Sequence, residues 1–312
     1  MSMKATRTAY GEWLVEAGKV HPEIVVVDAD LSASTMTSTF GKAFPDRFYN
    51  VGSAEQNLVS FAAGLALGGK RVFASSFAIF ETGRAWDQIR NVVAHDELNV
   101  SLVASHAGFS CAADGASHQA LEDVALMRVI PNMKVVVPCD PEETRNALDA
   151  IMKTSGPMYM RLRREKEPNL EKNYRFKLGR GEVMRDGGDL TIVASGMLVL
   201  NALKAAEILA GKGVDARVLN IHTIKPLDHK ILVKAAKETG ALVTVEEHQV
   251  DCGLGGAVCE VLSESHPVPV HRIGVRDVFG QSSRTMDELL ELHGLTPKKI
   301  AAAAEKVIKK RR

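Results

Sequence analysis

The stretch Ser101–Glu143 constrains the fold of this chain more than any other. Ser101–Ser105 is a short apolar run suited to a buried strand, and helical spacing resumes from His118, with Ala120, Leu121, Val124 and Met127 on one face. A second apolar run, Met133–Val137, stops at Pro138; Asp140 then reads as a helix N-cap, with Pro141 at the first helical position. Strand, helix, strand and helix in this order are the material of a parallel sheet. Between the first strand and its helix lies His106–Ser117, nearly all small residues apart from His106, Phe109 and Asp114. A loop of about a dozen residues is longer than packing requires, and such loops usually carry function or are disordered. Open α/β sheets keep their ligands at the carboxyl ends of their strands. His106, Asp114 and His118 are therefore expected to converge on one mouth.

The remainder of the chain extends the same alternation. Ala5–Gly18 reads as a helix with Ala9, Trp13, Leu14 and Ala17 inward. Ile24–Val27, Phe48–Val51, Val72–Ser75 and Met158–Leu162 read as strands, and Leu58–Leu67, Arg84–His95 and Asp140–Lys153 as helices. Glu165–Arg175 is charged, poor in apolar residues and broken by Pro168, which marks a linker. Beyond it, strands Leu190–Ala194, Ala216–Leu219, Ala241–Glu246 and Val268–Ile273 alternate with helices Leu198–Gly211, Asp228–Thr239 and Leu254–Glu264. A helical tail covers Thr285–Leu292 and Pro297–Ile308. The expected fold class is α/β, as two consecutive open-sheet α/β domains. They would span residues 1–170 and 171–312, the second smaller and poorer in candidate chemistry.

Composition narrows the partners. A net charge of +1 and a pI near 7.7 argue against nucleic acid or an anionic membrane as an obligate partner. No apolar run approaches a membrane-spanning length, and the opening amphipathic helix, with Glu12 and Glu16, reads as neither signal nor transit peptide. The basic end Lys309–Arg312 suits the last turn of a helix. Cys111, Cys139, Cys252 and Cys259 form no CxxC pair and no disulfide framework, as expected of a reduced, cytoplasmic protein.

Several motifs have a plain reading beside a functional one. Asp28 and Asp30 at a strand end, followed by Ser32, Ser34 and Thr35, either cap the next helix or offer acceptors to a hydroxylated ligand. Glu55 falls in the first turn of a helix, where the dipole alone favours a negative charge. Phe77 and Phe80 follow a strand and would ordinarily be core. Gly253-Leu254-Gly255-Gly256 imitates a dinucleotide fingerprint but lacks its third glycine, and reads as a tight turn with close helix packing. Glu246-Glu247-His248 and Cys252 have no zinc-site spacing and read as a solvated loop. Asp114 and His118, four apart, are placed to share a metal or to hydrogen-bond a ligand, and the loop setting suits the latter at least as well.

Three segments then occur in an order and spacing that resembles the transketolase family. They are Gly52-Ser53-Ala54-Glu55-Gln56-Asn57; Ser76-Phe77 through Phe80 with Arg84-Ala85-Trp86-Asp87-Gln88-Ile89-Arg90; and Asp114-Gly115-Ala116-Ser117-His118-Gln119 through Ile130-Pro131-Asn132. Ile224-Lys225-Pro226-Leu227-Asp228 and Glu246-Glu247-His248 resemble the family's terminal domain. The likeness covers nearly the whole chain but only the carboxy-terminal half of a full-length member: a pyrimidine-binding domain and a C-terminal domain. The family's diphosphate-binding half carries Gly-Asp-Gly, which is absent here; the nearest approach is Gly187-Gly188-Asp189. The resemblance thus implies the second subunit of a split transketolase. An N-terminal partner subunit would hold the phosphates and the Mg or other divalent metal of thiamine diphosphate, with no metal ligands in this chain, and the two would assemble as a dimer of heterodimers. The implied activity is transfer of a two-carbon ketol unit from a ketose phosphate to an aldose phosphate, as in the pentose phosphate pathway.

The resemblance also implies roles. Glu55 would meet a ring nitrogen of the cofactor's aminopyrimidine, and an apolar setting would hold it protonated for that contact. Phe77 and Phe80 would stack the ring. His106 and His118 would contact the donor's hydroxyls and carbonyl, Asp114 and Asp30 would read hydroxyls, and Arg7 and Arg164 would bind the terminal phosphate, with Arg161 and Arg163 as neighbours of Arg164. The chain departs from the family pattern in having Ala116-Ser117 before His118-Gln119, and Gly83 where some members place a third aromatic. Deoxyxylulose-phosphate synthase shares the His-Gln segment but typically has an acid at the position of His106. The β chains of 2-oxo acid dehydrogenases have the glutamate without the Asp-Gly-x-x-His-Gln pattern. A non-catalytic nucleotide-binding module using Gly253–Gly256 and a catalytically retired regulatory subunit are the readings from other classes.

Overall fold

Runs of β-branched and small apolar residues make the strands, and the helices between them force parallel pairing. The computed structural model describes residues 3–170 and 174–310. Its strands are β1 (Met3–Ala5), β2 (Ile24–Asp28), β3 (Phe48–Asn50), β4 (Arg71–Ser75), β5 (Val100–Ala104), β6 (Lys134–Val136), β7 (Met158–Arg161) and β8 (Lys166–Pro168). They continue with β9 (Glu182–Arg185), β10 (Leu190–Ala194), β11 (Ala216–Asn220), β12 (Thr223–Lys225), β13 (Leu242–Gln249) and β14 (Val270–Val275). The first sheet has the order β12-β6-β7-β5-β4-β2-β3 and the second β14-β13-β10-β11-β9. Both are open, so the chain is two consecutive open-sheet α/β domains. In each sheet a single edge strand, β12 or β9, runs antiparallel.

β2, β4 and β5 are buried along their whole length, as strands covered by helices on both faces must be. In the first sheet the chain passes from β2 outward to β3, then back to β4 on the other side of β2. That reversal is a topological switch point, where the loops at the carboxyl ends diverge and leave a crevice. One apolar cluster joins the two domains: Leu102, Val135 and Tyr159 belong to it together with Leu219, Ile224 and Leu232.

Several elements differ from the sequence reading. Glu165–Arg175 is not wholly a linker: β8 lies within it and pairs antiparallel with β1, while residues 171–173 lie outside the described residues. Arg84–His95 is not one helix but a short α turn, Trp86–Gln88, followed by a π-helical stretch, Ile89–Ala94. The helix expected from His118 begins only at Asp123 and ends at Arg128. Its first turns are lost because tertiary partners claim the groups a helix would use. The Ala120 carbonyl accepts from Arg161 and from the Gly108 N–H, and the Leu121 carbonyl accepts from the Gln249 N–H. The loop before it is wound as a 3-10 segment, Gly108–Asp114.

Candidate active site at the carboxyl ends of the first sheet

β4 and β5 end side by side, and a β-bridge between Phe77 and Ser105 extends their pairing by one more residue. The helix Ala78–Arg84 starts at once after Phe77, which sets Phe77 and Phe80 on one side, their rings stacked with centroids 5.8 Å apart and an 18° tilt. His106, one residue beyond Ser105, has a left-handed φ of 59°. That turn lays its imidazole on Phe77, with centroids 3.8 Å apart. His118 meets the edge of the same pair, 5.2 Å from Phe80 and 6.3 Å from Phe77. Two phenylalanines and two histidines distant in sequence thus share one mouth.

Glu55 is the first residue of the helix Glu55–Leu67 and is buried. Its neighbour was not foreseen. Arg84 Nη1 donates to both carboxylate oxygens, at 3.1 and 3.2 Å, and the guanidinium carbon lies 4.1 Å from the Phe80 ring centroid. The expectation named only apolar walls around Glu55; the structure sets a cation beside it. On the same helix lies Glu81, fully buried; burial pushes its carboxyl well above its ordinary range, a hydrogen bond from the Ser76 backbone opposes that, and the charges of Asp28 and Glu55 add to it. The sequence reading gave no role to Glu81 or to Arg84, although Arg84 stands in one of the family-like segments. The available signal was their position, one and four residues past Phe80, on the helix that presents the aromatics.

His106 Nδ1 lies 2.8 Å from Ser105 Oγ, and Nε2 lies 3.4 Å from Arg7 Nη1. The arginine can only donate, so this arrangement suits a neutral ring with its proton on Nδ1. Burial, followed by the fields of Arg7, Arg164 and His118, pushes the imidazole down to about 3. Arg7 also donates to the Ser34 carbonyl at 2.7 Å. Asp114 closes the 3-10 segment and lies 3.5 Å from Arg164. Arg161 and Arg163 are buried, whereas the Arg164 side chain is 47% exposed. Asp30 stands at the end of β2, held by Asn50, whose Nδ2 donates to Asp30 Oδ1 at 3.1 Å. Asp28 is committed inward and accepts from Thr35 and Thr37.

The second domain reaches this loop through Glu246-Glu247-His248, which is no solvated loop: all three are buried in β13. Glu247 Oε1 accepts the Phe109 N–H at 3.1 Å, and Arg161 Nη1 donates to its Oε2 at 3.2 Å. Arg161 also donates from Nε to Asp123 at 2.8 Å. Gln119 Nε2 donates to the Gln281 carbonyl at 2.9 Å, a second tie between the loop and the far domain. Glu246 accepts the N–H groups of Leu254 and Gly255 at 2.7 and 2.8 Å. The Gly253–Gly256 turn is therefore a close packing of helix on strand, as read, and the N–H groups a pyrophosphate would need there already have a carboxylate. Among the described residues there is no group of three or more potential metal ligands, and no helix is long and apolar enough to cross a membrane.

Comparison with known proteins gives a consistent outcome. Residues 2–168 match the family model "Transketolase, pyrimidine binding domain", and residues 179–300 match "Transketolase, C-terminal domain". The chain is 48% identical to a transketolase C-terminal section of Methanocaldococcus jannaschii, covering 98% of this chain and 97% of that one. It is 43% identical to a 6-deoxy-6-sulfo-D-fructose transketolase subunit of a Clostridium species, covering 98% and 95%. A solved structure described as a split gene transketolase, inactive beta4 tetramer, superposes with a TM-score of 0.92 at 51% identity, covering 99% of each chain.

Proposed function

The chain belongs to the transketolase family, and from that premise we propose that it is the C-terminal subunit of a split transketolase that, with an N-terminal partner, transfers a two-carbon ketol unit from a ketose phosphate to an aldose phosphate. The observation that carries the reading is the convergence of Glu55, Phe77, Phe80, His106 and His118 on one crevice. A flat guanidinium with N–H donors already rests between the Phe80 face and the Glu55 carboxylate. Those two residues therefore fit the edge and face of an aminopyrimidine. Thiamine diphosphate, when bound, supplies an acidic ring carbon that adds to a ketose carbonyl and stores the electron pair released on C–C cleavage. The Gly-Asp-Gly of the family's diphosphate-binding half does not occur in this sequence, and the partner subunit would hold most of the diphosphate and the Mg or other divalent metal.

This chain's own residues would manage protons and orientation. Glu55 would hold a proton at the carboxyl that meets the pyrimidine edge. His106, neutral and with an acceptor nitrogen toward Arg7, would receive or pass a hydrogen bond to a sugar oxygen without adding charge. His118 would do so from the opposite rim, and Asp114 and Asp30 would read hydroxyls further along the chain of the sugar. Arg7 and Arg164 would grip the terminal anion, since a guanidinium fork suits phosphate. The Clostridium relative is named for a sulfonated sugar, and the same pair would accept a sulfonate. We place the protein in the cytoplasm as a dimer of heterodimers, with domains at 1–170 and 171–312.

The test is reconstitution with the N-terminal subunit, thiamine diphosphate and Mg, followed by ketol-transfer assays on phosphorylated and sulfonated ketoses. Activity from the pair and none from either chain alone is the expected result. A pair that binds the cofactor and transfers no ketol unit would overturn the assignment.

A further inference from the structure

We propose that Arg84 is a competing occupant of the pyrimidine site, holding the face of Phe80 and the carboxylate of Glu55 until the cofactor ring displaces it. The inference rests on the functional reading above and concerns the loading of that same site. Its geometry is that of a mimic. A guanidinium is planar, carries N–H donors along its edges and stacks on aromatic faces. Arg84 uses both properties at once, lying 4.1 Å over Phe80 while one nitrogen donates to both Glu55 oxygens. An aminopyrimidine asks for the same face and the same carboxyl.

The two occupants differ in what they demand of Glu55. Arg84 is a permanent cation and favours the carboxylate. A neutral ring nitrogen needs the carboxylic acid as donor. On its inner side Glu55 faces acidic company: its charge acts on the buried Glu81, as does that of Asp28. Arg84 adds to the helix N-terminus in favouring the carboxylate, so it opposes the form the cofactor requires. Pairing with Arg84 and pairing with the ring are mutually exclusive states of one carboxyl.

The exit is also built in. Arg84 ends the helix Ala78–Arg84, its side chain is 56% exposed, and Gly83 beside it faces open space. The guanidinium can swing into solvent without disturbing the core.

A resident side chain lowers apparent cofactor affinity by the fraction of time it leaves the site open. Calorimetric titration of the assembled complex with thiamine diphosphate and Mg should therefore show tighter binding in Arg84→Gln than in wild type, by about five- to thirty-fold for an exposed ion pair plus a cation–π contact. In the isolated chain, the titration of 13C-labelled Glu55 followed by NMR should move to higher pH in the same variant. Unchanged or weaker affinity with an unmoved Glu55 titration would overturn the proposal, leaving Arg84 a spectator or a cofactor ligand. A wild-type complex that binds no cofactor would instead remove the functional reading and this inference with it.

Discussion

The imidazole of His106 lies face to face with the Phe77 ring, centroids 3.8 Å apart and planes inclined by 24°. This stacking buries a titratable ring beside Arg7, and the ring is held down to about 3. An unfolded histidine titrates near 6.5, so between roughly pH 3 and 6.5 the unfolded chain binds a proton that the folded chain refuses. Stability from this group is therefore complete above about pH 6.5 and is lost on acidification, by at most about 1.4 kcal/mol per pH unit. Glu167 runs the other way. Burial pushes it up to about 7, so the folded chain keeps a proton the unfolded one releases, and that contribution is lost as pH rises through 7. The His106 share is read as a difference between proteins. Urea unfolding of wild type and His106→Gln over this range should show the shallower acid loss in the variant, and equal slopes would mean the imidazole titrates freely.

Glu55→Gln keeps the shape of the side chain and an oxygen for Arg84 to bond, while removing the acid. Assembly with the N-terminal subunit should be unchanged by sedimentation. Turnover of the complex should fall by about 10²–10⁴, the usual scale for one positioned proton-transfer group. A Glu55→Gln complex with wild-type turnover would take the carboxyl out of the reaction.

Much of this arrangement was legible in the chain. The Asp140 cap is present, its Oδ1 accepting from the Glu143 N–H at 2.8 Å, because an N-cap is a local device. The β-branched runs became strands for the same reason. Long-range pairing was the illegible part. Glu246-Glu247-His248 resembled a polar loop because its partners, Leu254, Phe109 and Ala125, lie on other elements. Helical spacing around His118 was real but was overridden by Arg161, which takes the Ala120 carbonyl. Arg84 gave only the weak signal of its place four residues past Phe80, since an arginine in a helix is ordinarily solvated.

Among the arginines near β7, the surroundings single out Arg164. Arg161 is buried against Asp123 and Glu247, and Arg163 Nη1 donates to Glu167 at 3.2 Å. Arg164 turns toward Asp114 and solvent. Arg164→Ala should lower kcat/KM for phosphorylated acceptors about ten- to hundred-fold, matching a lost charge-assisted hydrogen bond of about 1.5–3 kcal/mol. Non-phosphorylated aldoses should be little affected. An unchanged phosphate preference would reassign the role to Arg7.

Gly108 and Gly64 differ in the room their surroundings leave for a side chain. Gly108 has a φ of +59°, and a Cβ built there would lie 2.2 Å from Glu247 Oε2. Gly108→Ala must therefore strain the backbone and push Glu247 away from the Phe109 N–H and from Arg161. Displacing a buried, paired carboxylate costs about 3–5 kcal/mol when its partner is left bare. Gly64, inside the helix Glu55–Leu67, has nothing within 4 Å of the same built atom. Gly64→Ala should be neutral or stabilise by about 0.4–1 kcal/mol, through the lost freedom of the unfolded chain. Urea midpoints decide the stability half. The other half is kinetic: His106 precedes Gly108 by two residues, so any fraction of Gly108→Ala that folds should also show a raised donor KM. If both substitutions proved equally harmless, Glu247 would not be gripping the loop that carries His106, and the second domain's hold on it would rest on the Gln119–Gln281 contact.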